Sequence, residues 1–138
     1  MCSDAWQSKV DPLFLTLDEV LAIHHDQLVR YGGGSGVREL ELLKSAIATP
    51  AVTFGGTFLH ESLTEMAAAY LFHISQNHPF VDGNKRTALA AALLFLWLND
   101  LRVEADDDAL YNLVIGVASG KTTKARVAMF LADHTRSV

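Results

Sequence analysis

Ala88-Leu89-Ala90-Ala91-Ala92-Leu93-Leu94-Phe95-Leu96-Trp97-Leu98 is the longest uninterrupted apolar run in the chain. Its alanines and leucines favour helix, and the run predicts one from Lys85 to about Leu98, closed by Asn99-Asp100. A helix apolar on nearly every side needs neighbours on nearly every side, so it belongs at the centre of a bundle. It is too short to cross a bilayer, which takes about 20 residues. The expected architecture is therefore a set of outer helices packed round one central helix.

The flanking sequence supplies those outer helices. Thr16-Leu17-Asp18-Glu19 and Ser62-Leu63-Thr64-Glu65 are capping boxes, in which hydroxyl and carboxylate satisfy the free N–H groups of a helix start. The first predicts a helix carrying Leu17, Val20, Leu21, His24, Leu28 and Tyr31 to a stop at Gly32-Gly33-Gly34. The second predicts a helix with Leu63, Met66, Ala67, Tyr70 and Ile74 inward, ending near Asn77 ahead of Pro79. Between them, a helix is expected over about Val37 to Thr49, with Leu40, Leu43 and Ile47 as its buried stripe. Val52-Thr53-Phe54-Gly55-Gly56-Thr57-Phe58 reads as a short flap or hairpin. Beyond the central helix, Leu101–Glu104 reads as extended. Asp106-Asp107-Asp108 places acids at the positive end of a fifth helix, and a sixth is expected over about Thr123–Asp133 with Val127, Phe130 and Leu131 inward. The fold class is all-α, a helical bundle with a short β-flap.

Composition narrows the function classes. A chain of 138 residues fits one domain, expected over residues 1–138, and no repeat or linker divides it. Half of the residues are hydrophobic and 20% charged, which excludes intrinsic disorder. Cys2 is the only cysteine, so neither a disulfide framework nor a cysteine zinc knuckle is expected, and the reducing cytoplasm is the natural compartment. The opening MCSDAWQSKVDPLF has no apolar core and does not read as a signal peptide. A net charge of −5 leaves no basic footprint for direct nucleic-acid binding, and nothing points to a membrane.

The chemistry is concentrated in His78-Pro79-Phe80-Val81-Asp82-Gly83-Asn84-Lys85-Arg86-Thr87, where one helix ends and the central one begins. A helix start offers unpaired N–H groups and a positive dipole end to an anion. Gly83 permits close backbone approach, Asn84 adds a neutral donor, and Lys85 and Arg86 add two positive charges. Cations in a first turn oppose the helix dipole, so their presence here suggests an anionic ligand. Asp82 beside a phosphate cradle suits a Mg²⁺ ion, which takes one or two carboxylates plus substrate phosphates. An imidazole titrates near neutral pH, so His78 is suited to take a proton from an attacking hydroxyl. Base, metal carboxylate and phosphate clamp together suit phosphoryl or nucleotidyl transfer. Each residue alone has a plainer reading: a structural loop histidine, an Asp-Gly-Asn turn, a solvated first turn. Phe80 reads as a core anchor in either case. His24, His25, His60 and His73 read as structural or surface residues. His60-Glu61 starts like a zincin motif, but Thr64 stands where a second histidine is required.

The stretch His78–Arg86 resembles the signature of the Fic/Doc superfamily. Gly36–Ile47 followed by Pro50, and Leu15–Tyr31 with Val20-Leu21-Ala22-Ile23-His24, resemble the segments that precede it in the Doc branch. The likeness covers roughly residues 13–135. It implies a Fic/Doc-like bundle with a β-flap beside the active loop. Lys85 stands where adenylylating Fic proteins carry a second glycine, and Leu89 where they carry a second arginine. Both departures match Doc, the toxin of a toxin–antitoxin module. The resemblance implies a kinase-like enzyme that transfers the γ-phosphate of ATP, with Mg²⁺, to a protein hydroxyl. It implies elongation factor Tu as target and translation arrest as outcome. His78 would be the catalytic base, Asp82 the metal ligand, and Gly83, Asn84, Lys85 and Arg86 the ATP-phosphate binders. AMP transfer of the Fic type and a catalytically idle binding module are the alternatives. Some Fic proteins carry an inhibitory Ser/Thr-x-x-x-Glu-Gly/Asn helix. Ser35–Glu39 has that spacing, but Leu40 follows, so an antitoxin acting in trans is the expected partner.

Overall fold

The two capping boxes start helices where the sequence puts them in the computed structural model, which describes residues 11–138. Cys2 and most of the opening stretch lie outside the described residues. Helix α1 (Leu17–Tyr31) starts with the full capping box. Thr16 Oγ1 accepts from Glu19 N–H at 3.2 Å, and Glu19 Oε1 accepts from Thr16 N–H at 2.8 Å. Gly32, at φ 80°, closes it by donating its N–H to Leu28 O. Helix α2 is Leu40–Ala48, followed by a single 3₁₀ turn, Thr49–Ala51, that buries Pro50. Strands β1 (Thr53–Phe54) and β2 (Thr57–Phe58) pair antiparallel, Thr53 opposite Phe58, across Gly55-Gly56 at φ 61° and 87°. Two successive positive φ values are what a tight hairpin turn demands. Helix α3 (Leu63–Asn77) carries the second capping box, Ser62 with Glu65. Then come α4 (Asn84–Leu98), β3 (Leu101–Val103), α5 (Asp107–Ala118), α6 (Lys124–His134) and β4 (Thr135–Ser137).

Helix α4 packs against α3, α1, α5 and β3. Ala67, Ala68 and Ala69 of α3 and Ala88, Ala91 and Ala92 of α4 are all fully buried. Small residues on both helices let the two backbones approach closely. Tyr70 and Phe95 fill the space beyond, their ring centroids 5.2 Å apart. The Tyr70 hydroxyl accepts from Leu15 N–H at 2.8 Å, and burial pushes its pKa up to about 12. The central helix is not covered on every side. Leu89, Ala90 and Leu93 are only half-buried because they line a cleft, and Trp97 is exposed.

One expectation needs correction, and another gains a partner. Helix α2 begins three residues later than Val37, because Val37 forms a β-bridge with Phe80 and the N–H groups of Arg38 and Glu39 both donate to Pro79 O. Those amides are engaged by a distant loop before a helix can form. Leu40 and Leu42 are exposed, and the buried residues of α2 are Leu43 and Ala46. The extended reading of Leu101–Glu104 holds, but its partner was unforeseen. Leu101–Val103 pairs antiparallel with Thr135–Ser137.

His60, His73 and Lys124 meet where the chain leaves the flap and α3 passes the start of α6. Lys124 Nζ lies 3.1 Å from His60 Nε2 and 3.1 Å from His73 Nε2. An ammonium only donates, so both rings accept at Nε2 and are neutral. Burial, followed by the Lys124 charge, holds His73 down at about 4 and lowers His60 as well, against a smaller opposing pull from Glu65. In the unfolded chain His73 returns to about 6.5 and takes up its proton first as pH falls. The stability it contributes is therefore complete above about 6.5 and lost as pH drops towards 4. His73→Phe should flatten the pH dependence of the unfolding free energy across that window, read by urea denaturation at several pH values. Parallel curves for variant and wild type would remove His73 from the acid response.

Candidate active site

The segment His78–Gly83 joins the C-terminal end of α3 to the N-terminal end of α4. His78 caps α3 in a left-handed conformation, φ 46° and ψ 53°. Gly83 opens α4 at φ 79° and ψ 16°. A Cβ at Gly83 would make ordinary contacts with Leu28 and His24 at 3.5–3.6 Å, so it is the positive φ of the backbone that favours glycine there.

Phe80 anchors the loop in the core, at 1% exposure. The Asn84 side chain accepts from Phe80 N–H at 2.9 Å and donates to Phe80 O at 3.0 Å. His24, buried on α1, stacks on the Phe80 ring at 3.8 Å and 6°. Its Nε2 lies 2.8 Å from Asp82 O, and since a carbonyl only accepts, Nε2 carries the proton. From the other side the segment Gly36–Glu39 runs antiparallel to the loop. Val81 N–H donates to Gly36 O, Val37 bridges Phe80, and the Arg38 guanidinium donates to His78 O at 2.9 and 2.6 Å.

Asp82 is exposed, yet its carboxylate is fixed. Oδ1 accepts from Gly83 N–H at 2.8 Å and Oδ2 from Gly34 N–H at 3.3 Å. These two bonds, helped by Arg86 and Lys85, hold its carboxyl below the usual carboxylate range. It is anionic at neutral pH and still has lone pairs for a cation. Among the described residues no group of three or more His, Cys, Asp or Glu could hold a metal ion. A cation here would rest on Asp82 together with ligand oxygens and water, which is the way Mg²⁺ is commonly held.

The N-terminal end of α4 has no side-chain cap, whereas Thr16, Ser62, Asp106 and Thr123 cap α1, α3, α5 and α6. The N–H groups of Asn84, Lys85 and Arg86 precede the first intrahelical bond, Thr87 N–H to Gly83 O. Arg86 lies over the Tyr31 ring, 4.4 Å from its centroid, a cation–π contact that orients the guanidinium.

These groups line one cleft of about 850 Å³. His78, Asp82, Gly83, Asn84, Lys85 and Arg86, the six residues singled out from sequence, all contribute to it. Leu89, Ala90 and Leu93 of α4 face Leu110 and Val114 of α5 across an apolar floor, with Asp107 and Asp108 also on the α5 side. Asn84 departs from its expected role. Its amide group is engaged with Phe80, so what it offers an anion is chiefly its backbone N–H. The flap contributes no residue to this lining. Its Phe58 packs on Phe14, which stacks on Phe95, and Phe54 at the tip is 82% exposed.

Sequence reading missed His24, Tyr31, Gly34 and Arg38 as parts of the site. One signal was available. A single glycine suffices to cap α1, and Gly33 and Gly34 beyond it serve Asp82 instead.

A family model described as Fic/DOC family matches residues 14–96. Toxin Doc of Mycolicibacterium smegmatis is 44% identical over 80 residues, 58% of this chain and 62% of that protein. The chain thus spans about three-fifths of the length of that relative. Protein kinase doc of Escherichia phage P1 is 34% identical over 114 residues, 80% of this chain and 86% of its own length.

Gly33→Ala tests the fixation of Asp82. Gly33 sits at φ 119°, and an added Cβ would lie 2.8 Å from Asp82 Oδ2. The carboxylate must then leave Gly34 N–H, and the backbone strain should cost about 1–3 kcal/mol of stability. Carbon-detected NMR titration should show the Asp82 pKa rising towards the ordinary carboxylate value. A pKa unchanged from wild type would show that Gly34 does not hold it.

Proposed function

The chain belongs to the Fic/DOC family, on its Doc branch, and from that membership we propose that it is a Doc-like toxin of a toxin–antitoxin module. Its activity on this reading is ATP-dependent phosphoryl transfer to a Ser or Thr hydroxyl of a protein. Elongation factor Tu is the proposed target and arrest of translation the outcome. The observation that supports this most is the convergence of His78, Asp82, Lys85 and Arg86 on the mouth of one cleft, beside an uncapped helix start. The names of the two relatives, one a toxin and one a protein kinase, point the same way.

ATP would lie with its phosphates against the N–H groups of Asn84, Lys85 and Arg86 and the two cationic side chains. Gly83 gives the phosphates room to approach. The base would rest on the apolar floor between Leu89 and Val114. Asp82 would hold Mg²⁺, which when bound neutralises phosphate charge. His78 would take the proton of the target hydroxyl as its oxygen bonds to the γ-phosphorus. The bond from that phosphorus to the β-bridging oxygen breaks, and ADP leaves. The protein's part is positioning and charge stabilisation. Leu89 supports γ- over α-transfer, since it places an apolar side chain on the cleft floor where a second arginine would reach the distal phosphates.

The flap is proposed to meet the target as an added strand, because β1 is short and exposed along its whole length. The antitoxin is proposed to act in trans from a neighbouring reading frame. No described helix is long and apolar enough to cross a membrane; the proposed place of action, where translation runs, is the cytoplasm.

Incubation with elongation factor Tu and ATP labelled at either the α or the γ position separates the readings. Label from γ alone is expected; label from α would indicate AMP transfer, and no label from either would favour a binding module. His78→Ala should lower transfer by about 10²–10⁴-fold with the fold retained, and expression of the variant should no longer arrest growth. Arrest equal to wild type at equal expression would remove His78 from catalysis. Asp82→Asn should raise the Mg²⁺ concentration needed for half-maximal transfer, because an amide is a weaker Mg²⁺ ligand than a carboxylate. An unchanged Mg²⁺ titration would reduce Asp82 to a turn residue.

A further inference from the structure

Arg38 lies outside the loop and outside the cleft lining, yet it grips the backbone of the residue read as the base. Its Nε donates to His78 O at 2.9 Å and its Nη2 to the same oxygen at 2.6 Å, with Nη2 also 3.4 Å from Asn77 O. Its own backbone N–H donates to Pro79 O at 2.7 Å. One residue therefore holds two successive carbonyls, 78 and 79, with side chain and main chain together.

His78 needs that grip. Among the described residues only His78 and Asp100 have positive φ without being glycine. A left-handed backbone is unfavourable for a residue with a Cβ, and most helices that end this way use glycine there. The last carbonyls of α3 lack intrahelical partners and carry the negative end of its dipole. A guanidinium matches both needs, because it is positively charged and presents a planar fork of donors. Rotation of the 78–79 peptide would break both contacts from the Arg38 guanidinium to His78 O, and the next carbonyl, Pro79 O, is held by the N–H groups of Arg38 and Glu39. The direction in which the His78 side chain leaves the backbone is fixed by the same dihedrals.

We propose that Arg38 is the positioning residue of His78: by clamping the His78 carbonyl it holds the left-handed turn that aims the imidazole into the cleft. The proposal rests on the reading of His78 as the base, but its structural half stands apart from activity. It assigns Arg38 no contact with substrate.

The test compares full-length wild type with Arg38→Met, which keeps the aliphatic stem, and Arg38→Lys, which restores one charged donor. Two quantities are read: the Cα and Cβ chemical shifts of His78, which report its backbone conformation, and kcat and KM for ATP in γ-phosphoryl transfer. In Arg38→Met the His78 shifts should leave their left-handed values. Its kcat should fall by about 10–100-fold, as expected of a misplaced catalytic group, with KM for ATP within about twofold of wild type. Arg38→Lys should recover a large part of both. Wild-type His78 shifts and kcat in Arg38→Met would overturn the proposal. So would a fall in kcat with unmoved shifts, or one that Lys does not relieve. If Arg38→Met fails to fold, Arg38→Gln is read in its place. Displaced shifts with a lowered kcat then support the clamp, and wild-type values refute it. Should the wild type transfer no phosphoryl group, the functional reading fails, while the His78 shifts still decide whether Arg38 sets its conformation.

Discussion

A phenyl ring and an imidazole lying face to face 3.8 Å apart hold the site together. Phe80 is the node. Its ring is buried against His24, both of its backbone polar groups pair with the Asn84 side chain, and Val37 bridges it from the opposite side. Burying a phenylalanine contributes about 1.5–3 kcal/mol, and here that burial fixes a short loop between two helix ends. With Phe80 seated, Asp82 is reached from behind by His24 and from the side by Gly34, and His78 is reached by Arg38. The loop borrows rigidity from α1, from the Gly36–Glu39 segment and from the core.

The loop also brings together two opposite helix ends. The C-terminal end of α3 presents carbonyls and partial negative charge, and the N-terminal end of α4 presents N–H groups and partial positive charge. The protein satisfies the first with Arg38 and leaves the second without a cap. Lys85 and Arg86 strengthen the positive end rather than offset it. The potential thus favours an anion at α4 and keeps the carbonyl end from repelling it. Asp82 stands between the two, held ionised by neighbouring N–H groups. On the proposed reading the arrangement separates the roles: backbone and cations for phosphate, carboxylate for a metal ion, imidazole for the proton.

Much of this was legible in the sequence because the signals are local. The capping boxes at Thr16 and Ser62 fixed two helix starts to the residue, since both partners lie within one turn. The Gly55-Gly56 pair announced the hairpin, and the apolar run announced the central helix. The six loop residues stand close together in the chain, so their convergence on one cleft followed from the loop itself. Features set by distant partners were not legible. Val37 looks helical until Phe80 claims it as a strand partner. Asn84 looks like a ligand donor until its amide is found on Phe80. His24 and Arg38 lie 58 and 40 residues from the carbonyls they bind, and no local pattern marks such a pair. The β3–β4 pairing escaped for the same reason, since Thr135–Ser137 carries no alternating apolar pattern to announce a strand.

The account stands or falls on the α4 start being the phosphate end of a nucleotide site. A titration of the ¹⁵N-labelled protein with Mg²⁺-ATP measures that directly through backbone amide and methyl shifts. The account predicts large, saturable shifts at the amides of Gly83, Asn84, Lys85 and Arg86, with methyl shifts at Leu89, Leu93 and Val114 from the base. Inorganic triphosphate should reproduce the first set without the second. Saturable shifts centred elsewhere, or none at those four amides, would contradict it.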